Sequence, residues 1–122
     1  MRIFCVSPVA VIPNLFPVTL THPPLKSGSL LAGSHPAAGE QKALVLLEKN
    51  GQKVIFKTLA AGEIMPTHHA AVDVFVTVLA GRLIITQEEV PTEVTAGDYV
   101  IIPSGAPHSL ECLEAARILI YR

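Results

Sequence analysis

The sequence has little charge and few aromatic residues. Only 16% of its 122 residues are charged and 5% are aromatic, and tryptophan is absent. Nine Lys or Arg against ten Asp or Glu leave a formal net charge of −1. Because nucleic-acid-binding surfaces concentrate positive charge, this balance argues against nucleic acid as a partner. Half of the residues are hydrophobic, which is ample for the core of one domain of this length.

Cysteine and long apolar runs are equally scarce. Cys5 and Cys112 stand far apart in no ligand-like spacing, so we expect buried, reduced thiols. The apolar stretch Ile3–Ile12 is interrupted by Ser7 and Pro8 and is too short to span a membrane. No convincing cleavage region follows it. The sequence therefore predicts a cytoplasmic protein with no membrane partner.

Residues 1–41 differ in composition from the rest of the chain. They hold six of the ten prolines and no acidic residue before Glu40. Prolines at this density exclude a long helix or a central strand. The segment is nevertheless too apolar for ordinary disorder. We predict an extended N-terminal arm over 1–41, packed on its own barrel or on a partner's, followed by one barrel domain over 42–122.

From Ala43 onward, short apolar runs alternate with turn signals. Asn50-Gly51 favours a type I′ hairpin between strands at 43–48 and 54–59. Further strands are predicted at 64–68, 72–79, 82–87, 92–95, 99–102, 108–113 and 116–121, with Ala80-Gly81 and Glu114-Ala115 as turns. No segment shows a sustained 3.6-residue period. These features predict an all-β barrel or sandwich.

Two stretches combine a glycine, an apolar strand, a proline and a histidine. The first runs from Gly62 to Gly81 and contains His68; the second runs from Gly97 to His108 and reads GDYVIIPSGAPH. Together they resemble the two sequence motifs of the cupin family. Cupins are small β-barrels of the jelly-roll type. The resemblance covers roughly residues 42–122. It implies a cupin-type jelly-roll β-barrel with an N-terminal extended arm.

The two motifs are kept to different extents. The first family motif places a second histidine and a glutamate where this chain has Ala70 and Val74, although its two glycines and first histidine match. The second motif matches at its glycines, proline and histidine, but Cys112 replaces the asparagine that often closes it. Of the four usual metal ligands of the family, only His68 and His108 stand at their own positions.

The resemblance implies two chemical alternatives for these residues. In the first, His68 and His108 bind Fe, Mn, Ni or Zn with His69 or Asp73 as the third ligand, as in a metal-dependent dioxygenase or isomerase. In the second, no metal is bound: His68 acts as a general base together with the Asp73 carboxylate, and His108 or Tyr99 is the proton donor. A further interpretation gives Asp73 only a backbone hydrogen bond or a contact with a dimer partner.

The third class of function is binding without catalysis. The expected barrel lining is apolar and consists of Val54, Phe56, Val72, Val74, Val76, Val78, Ile84 and Ile101. Such a lining suits a small organic acid or an aromatic ligand, and equally a filled core. We favour a small-molecule-binding cupin domain with a degenerate or absent metal site and unassigned activity. The alternative is the metal-dependent enzyme that uses His68 and His108.

Two structural expectations follow. The low charge and large apolar fraction predict a homodimer in which the arm or an apolar barrel face is shared. The matching places of His68 and His108 in their motifs predict that both side chains meet in one pocket. His69 is expected to point away, because successive strand side chains alternate.

Overall fold

The computed structural model describes residues 9–10, 18–19, 21–31 and 43–122. Every regular element in these ranges is a strand, and they contain no helix long and apolar enough to cross a membrane. The strands are β1 (Val9–Ala10), β2 (Val18–Thr19), β3 (Ala43–Lys49), β4 (Gln52–Leu59), β5 (Ile64–His68), β6 (Val74–Gln87), β7 (Val90–Thr95), β8 (Tyr99–Ile102) and β9 (His108–Tyr121). The all-β prediction is confirmed.

The architecture is organised by the two longest strands, β6 and β9, which pair with each other. Residues 74–78 of β6 and 116–121 of β9 belong to a first sheet with β3, β4 and β8. Residues 82–87 of β6 and 108–114 of β9 belong to a second sheet with β5 and β7. All pairs are antiparallel. Two sheets that share bent strands and enclose one core form a jelly-roll barrel, as predicted.

The bend between the two sheets is centred on Gly81. Its φ is +91°, a region that favours glycine, and a Cβ built on it would lie 2.6 Å from Cα of Ala116. The ladder between β6 and β9 is irregular from Val78 to Leu83. These bulges change the parity of β6, that is, whether its even- or odd-numbered residues face the core. Even-numbered Val78 faces inward before the bend, and odd-numbered Leu83 faces inward after it.

The predicted turns at Ala80-Gly81 and Glu114-Ala115 are therefore wrong. Both positions lie within continuous strands that bend together. A glycine beside small residues suits a bulge as well as a reversal, and only the pairing of β6 with β9 distinguishes the two. The consequence is a barrel with two long shared strands instead of four short ones.

The predicted hairpin at Asn50-Gly51 is confirmed. Asn50 and Gly51 have φ values of 55° and 80°, as the type I′ turn between β3 and β4 requires. Glu88 and Glu89 adopt positive φ in a similar two-residue connection between β6 and β7. β7 begins at Val90, two residues before the predicted start at 92, and includes Pro91, which need not donate to a ladder on this edge strand.

The core lies between the two sheets and consists of small and branched side chains. Its buried members are Leu59, Val74, Val76, Val78, Leu83, Ile85, Val94, Ile102, Ala106, Leu110, Cys112, Ala116 and Ile118. Burial raises the pKa of the Cys112 thiol, and the negative charge of Glu63 adds to the effect. Cys112 is thus a reduced, buried thiol as expected, whereas Cys5 lies outside the described residues.

Part of the predicted arm is described. β1 and β2 pair with each other in a small separate sheet. The guanidinium of Arg117 on β9 donates to the carbonyl of Leu30 at 3.0 Å, so the 21–31 segment contacts the barrel of its own chain. The division into an arm over 1–41 and a barrel over 42–122 otherwise stays a prediction.

Candidate functional site

The site is built on the second sheet, at the end farthest from the bend. His68 closes β5 and His108 opens β9, and the two residues are direct partners across the β5–β9 ladder. Their ring centroids lie 4.3 Å apart at an angle of 58°. The structure therefore brings the two histidines together, as the sequence predicts, although forty positions separate them.

Both histidine rings are held in the same way. Nδ1 of His68 lies 3.0 Å from the carbonyl oxygen of Pro66, and Nδ1 of His108 lies 2.9 Å from that of Ala106. Because a carbonyl oxygen only accepts, Nδ1 carries the proton in each ring. A neutral imidazole fixed in this tautomer presents the lone pair of Nε2. The pair thus offers two Nε2 atoms of matching character.

The two histidines differ in their exposure. His108 is buried, with 7% of its surface accessible, and Ala106 beside it belongs to the core. His68 is exposed. Its position on the inner face follows from a register shift between Met65 and His68, which brings the side chain to the same face as His108. The pair accordingly spans the boundary between core and solvent at the barrel mouth.

Asp73 lies in the loop beside the site and has a structural contact. Its Oδ1 accepts the backbone N–H of Ser104 at 2.8 Å. The Ser104 hydroxyl donates to the Ala71 carbonyl, and Gly105 N–H donates to the Ala70 carbonyl, both at 2.8 Å. These bonds join the loop that follows His68 to the loop that precedes His108. This geometry matches the interpretation in which Asp73 bonds to the backbone. It does not match the interpretation in which Asp73 supports His68 as a general base.

The two remaining candidates are exposed. His69 is exposed in the loop after β5. Tyr99 is 63% exposed and stacks on Phe75 with ring centroids 5.7 Å apart. Tyr99 pairs with Thr77 across the β6–β8 ladder, on the face opposite to the core-packed Val100.

Sequence reasoning missed Gln87, the last residue of β6. Gln87 is the direct partner of His108 across the β6–β9 ladder, so it lies on the inner face beside that histidine. His68, His108 and Gln87 form one row across β5, β9 and β6, which we call the polar row. The signal that could have found it is Gly81, whose bulge reverses the alternation along β6. Without that reversal, simple alternation from Val78 places residue 87 on the outer face.

The residues predicted to line the pocket lie in several different places. Val74, Val76 and Val78 face inward but are packed core residues. Ile84 pairs with Glu93 and Glu111 and faces outward, because the bulges at the bend reverse the alternation. Phe56 is fully buried, but it pairs with Leu44 and Leu119 on the face opposite the core-facing Ile55. Val72 is half exposed in the loop before β6.

An open cleft of about 380 Å³ lies between the edges of β7 and β8. Its lining includes Ile85, Gln87, Thr92, Val100 and Ile102 from the inner face and Tyr99 from the exposed face of β8. Ile101 also borders it from the exposed face of β8. Among the described strands, β7 and β8 each pair only with β6, and the cleft between their free edges reaches the polar row at Gln87.

The metal centre that the cupin resemblance implies does not fit the described residues. The rings of His68 and His108 are adjacent, with centroids 4.3 Å apart, as two histidine ligands of one ion would be. No group of three His, Cys, Asp or Glu side chains in the described ranges could hold a metal ion, however. The positions of the second histidine and the glutamate are taken by Ala70 and by the core residue Val74.

Comparisons with known proteins agree with this architecture. A family profile described as "Cupin domain" matches residues 55–121. A conserved protein of unknown function from Streptococcus pyogenes is similar over 67% of this chain and 75% of its own, at 27% identity and a TM-score of 0.61. No curated protein matches the sequence significantly.

Two more distant structures share the fold alone. An RmlC-like cupin protein from Desulfovibrio desulfuricans covers 80% of this chain and 94% of its own at 20% identity, with a TM-score of 0.66. A salicylate 1,2-dioxygenase from Pseudaminobacter salicylatoxidans covers 70% of this chain but only 27% of its own, at 19% identity and a TM-score of 0.58. With more than half of its length matched by the family profile, the chain belongs to the cupin family.

Proposed function

We propose that this cupin protein binds a small molecule through Nε2 of His68 and His108, without a resident metal ion. The observation that carries the proposal is the histidine pair itself: two adjacent rings, each anchored through Nδ1 to a backbone carbonyl. Anchoring fixes the direction of each Nε2 before a ligand arrives. Such preorganised polar groups beside an apolar interior are typical of small-molecule sites.

The alternative is a metal-dependent cupin enzyme of the dioxygenase or isomerase type that uses the same two histidines. The separation of the rings favours it, and the lack of a third ligand among the described residues opposes it. Ligand count is the first requirement of a stable site. We therefore place metal binding second.

Metal content separates the two functions. The full chain is purified without a chelator or an affinity nickel column, and iron, manganese, nickel and zinc are quantified per mole of protein. We expect far less than one metal per chain and no change in melting temperature on adding a chelator. One metal per chain that is lost in both His68→Ala and His108→Ala would instead establish the metal-dependent alternative.

We also propose that the protein is a homodimer. In support, the edge strand β3 exposes three consecutive apolar residues, Val45, Leu46 and Leu47. Sedimentation at micromolar concentration should give a dimer for the wild type and for Val90→Lys, a control at an exposed apolar position on the opposite edge. Leu47→Lys should shift the protein toward monomer. A monomeric wild type would contradict the proposal.

A further inference from the structure

Gln87 has two properties that no other residue of the polar row combines. It lies directly across the ladder from His108, and it lines the cleft between β7 and β8. Its side-chain amide makes no hydrogen bond with any other residue that the structure describes, although it is half buried. A half-buried amide that leaves its hydrogen-bonding capacity unused is available to a ligand.

The cleft reaches the polar row at Gln87. Beyond Gln87 it is lined by Ile85, Val100, Ile101 and Ile102, with the hydroxyl groups of Thr92 and Tyr99 as polar exceptions. A volume of about 380 Å³ lies near the lower end of the range for small-molecule sites. A ligand seated there would be of one-ring size, with its apolar body beside β8 and its polar group at Gln87, from where it would extend to the neighbouring His108.

The tautomers define the chemistry of that polar group. With Nδ1–H committed to a carbonyl, each neutral ring offers only an acceptor at Nε2, and the two acceptors are neighbours. The complementary ligand carries two neighbouring hydrogen-bond donors. A carboxylate would direct its own lone pairs at those of Nε2 and would bind only after a ring gains a proton. The Gln87 amide can donate to a ligand oxygen or accept from a hydroxyl, so it completes the arrangement.

We propose that Gln87 is the specificity-determining residue of the site, and that the ligand is a one-ring molecule with two adjacent hydroxyl groups. This inference rests on the proposed binding function and goes beyond it in naming the ligand class. Gln87 would select such a ligand by bonding the hydroxyl nearer to β6, while His68 and His108 accept the two hydroxyl protons.

Calorimetric titration of the metal-free full chain under nitrogen tests the proposal. The probe is 1,2-dihydroxybenzene, and the matched controls are 1,4-dihydroxybenzene, with the hydroxyls apart, and benzoate, with a carboxylate head. We expect the 1,2 isomer to bind at least about tenfold more tightly than either control, because an acceptor left unpaired in the site costs binding free energy. Gln87→Leu should weaken 1,2-dihydroxybenzene about five- to tenfold and leave 1,4-dihydroxybenzene unchanged.

Thr86→Val is the control for the variant. Thr86 precedes Gln87 on β6 and pairs with Ser109, so its side chain lies on the outer face. It should bind every probe as the wild type does. Equal affinity for the two isomers, tighter binding of benzoate, or an unchanged affinity in Gln87→Leu would overturn the inference.

The ring nitrogen resonances of His68 and His108 separate this inference from the broader function. If 1,4-dihydroxybenzene or benzoate shifts them as much as the 1,2 isomer, the histidines bind small molecules and only the ligand class is wrong. If no probe shifts them and the purified protein carries one metal per chain, the proposed function fails as well.

Discussion

The two ends of the second sheet carry different kinds of constraint on the same pair of strands. At the bend, Gly81 of β6 lies against the Ala115–Ala116 backbone of β9, and there is no room for a side chain. At the mouth, β6 ends with the half-buried Gln87 and β9 begins with the buried His108, and both side chains are polar. One end is determined by backbone geometry, and the other by side-chain chemistry.

The difference separates stability from function along a short distance of chain. The bend sets the parity of everything that follows it, so Gly81 decides that Gln87 faces inward. The mouth adds little packing but presents three polar groups on one face. Substitutions at the bend should therefore unfold the protein, and substitutions at the mouth should leave it folded and alter binding.

The largest effect is expected for Gly81→Ala. The new Cβ meets both a positive φ and the facing backbone, which should lower the free energy of unfolding by about 3 kcal/mol or more. Gly97→Ala is the matched control, because Gly97 has a φ of +93° but open space around it, and it should cost about 1–2 kcal/mol. Urea unfolding measures both, and an equal cost would show that the close approach at the bend does not constrain the fold.

A smaller difference is expected between the two histidines at the mouth. His108→Ala removes a buried ring that donates to the Ala106 carbonyl and should cost about 1–3 kcal/mol. His68→Ala removes an exposed ring and should cost less than about 0.5 kcal/mol. Thermal unfolding compares the two variants. Equal losses of unfolding free energy would contradict the difference in burial. Both variants should also lose ligand binding.

The smallest effect concerns Cys112, which lies on β9 between the bend and the mouth. Since its pKa is raised in the folded state, the unfolded chain loses this proton first, and stability should fall as pH rises above the ordinary thiol value of 9.0. Cys112→Ala should flatten this decline in urea unfolding curves recorded between neutral pH and about pH 10. An unchanged slope would mean that the thiol is not effectively buried in solution.

Much of the fold was predictable from local sequence signals. Asn50-Gly51 determines a hairpin by its own conformational preference, and the spacing of short apolar runs predicts an all-β barrel. The meeting of His68 with His108 followed from the motif resemblance. These features depend on a few residues close in sequence or on a pattern shared with a family.

The features that escaped prediction depend on pairing between distant strands. Whether Gly81 turns or bends the chain is decided by the facing strand β9, and the inward position of Gln87 follows from that bend. In the sequence Asp73 resembles a catalytic carboxylate, and only the fold shows that it bonds to the backbone of Ser104, 31 positions away. Alternation alone does not reveal the change of face, because a glycine beside small residues fits a bulge and a turn equally well.

The central claim is that His68 and His108 each present an unprotonated Nε2 toward one site. Nitrogen-15 spectra of histidine-labelled protein, recorded at mildly alkaline pH where an ordinary imidazole is neutral, measure the tautomer of each ring directly. We predict a proton on Nδ1 and a lone pair on Nε2 in both rings, with assignments made by His68→Ala and His108→Ala. A proton on Nε2 of either ring, or the signature of a metal-bound nitrogen in protein as purified, would contradict it.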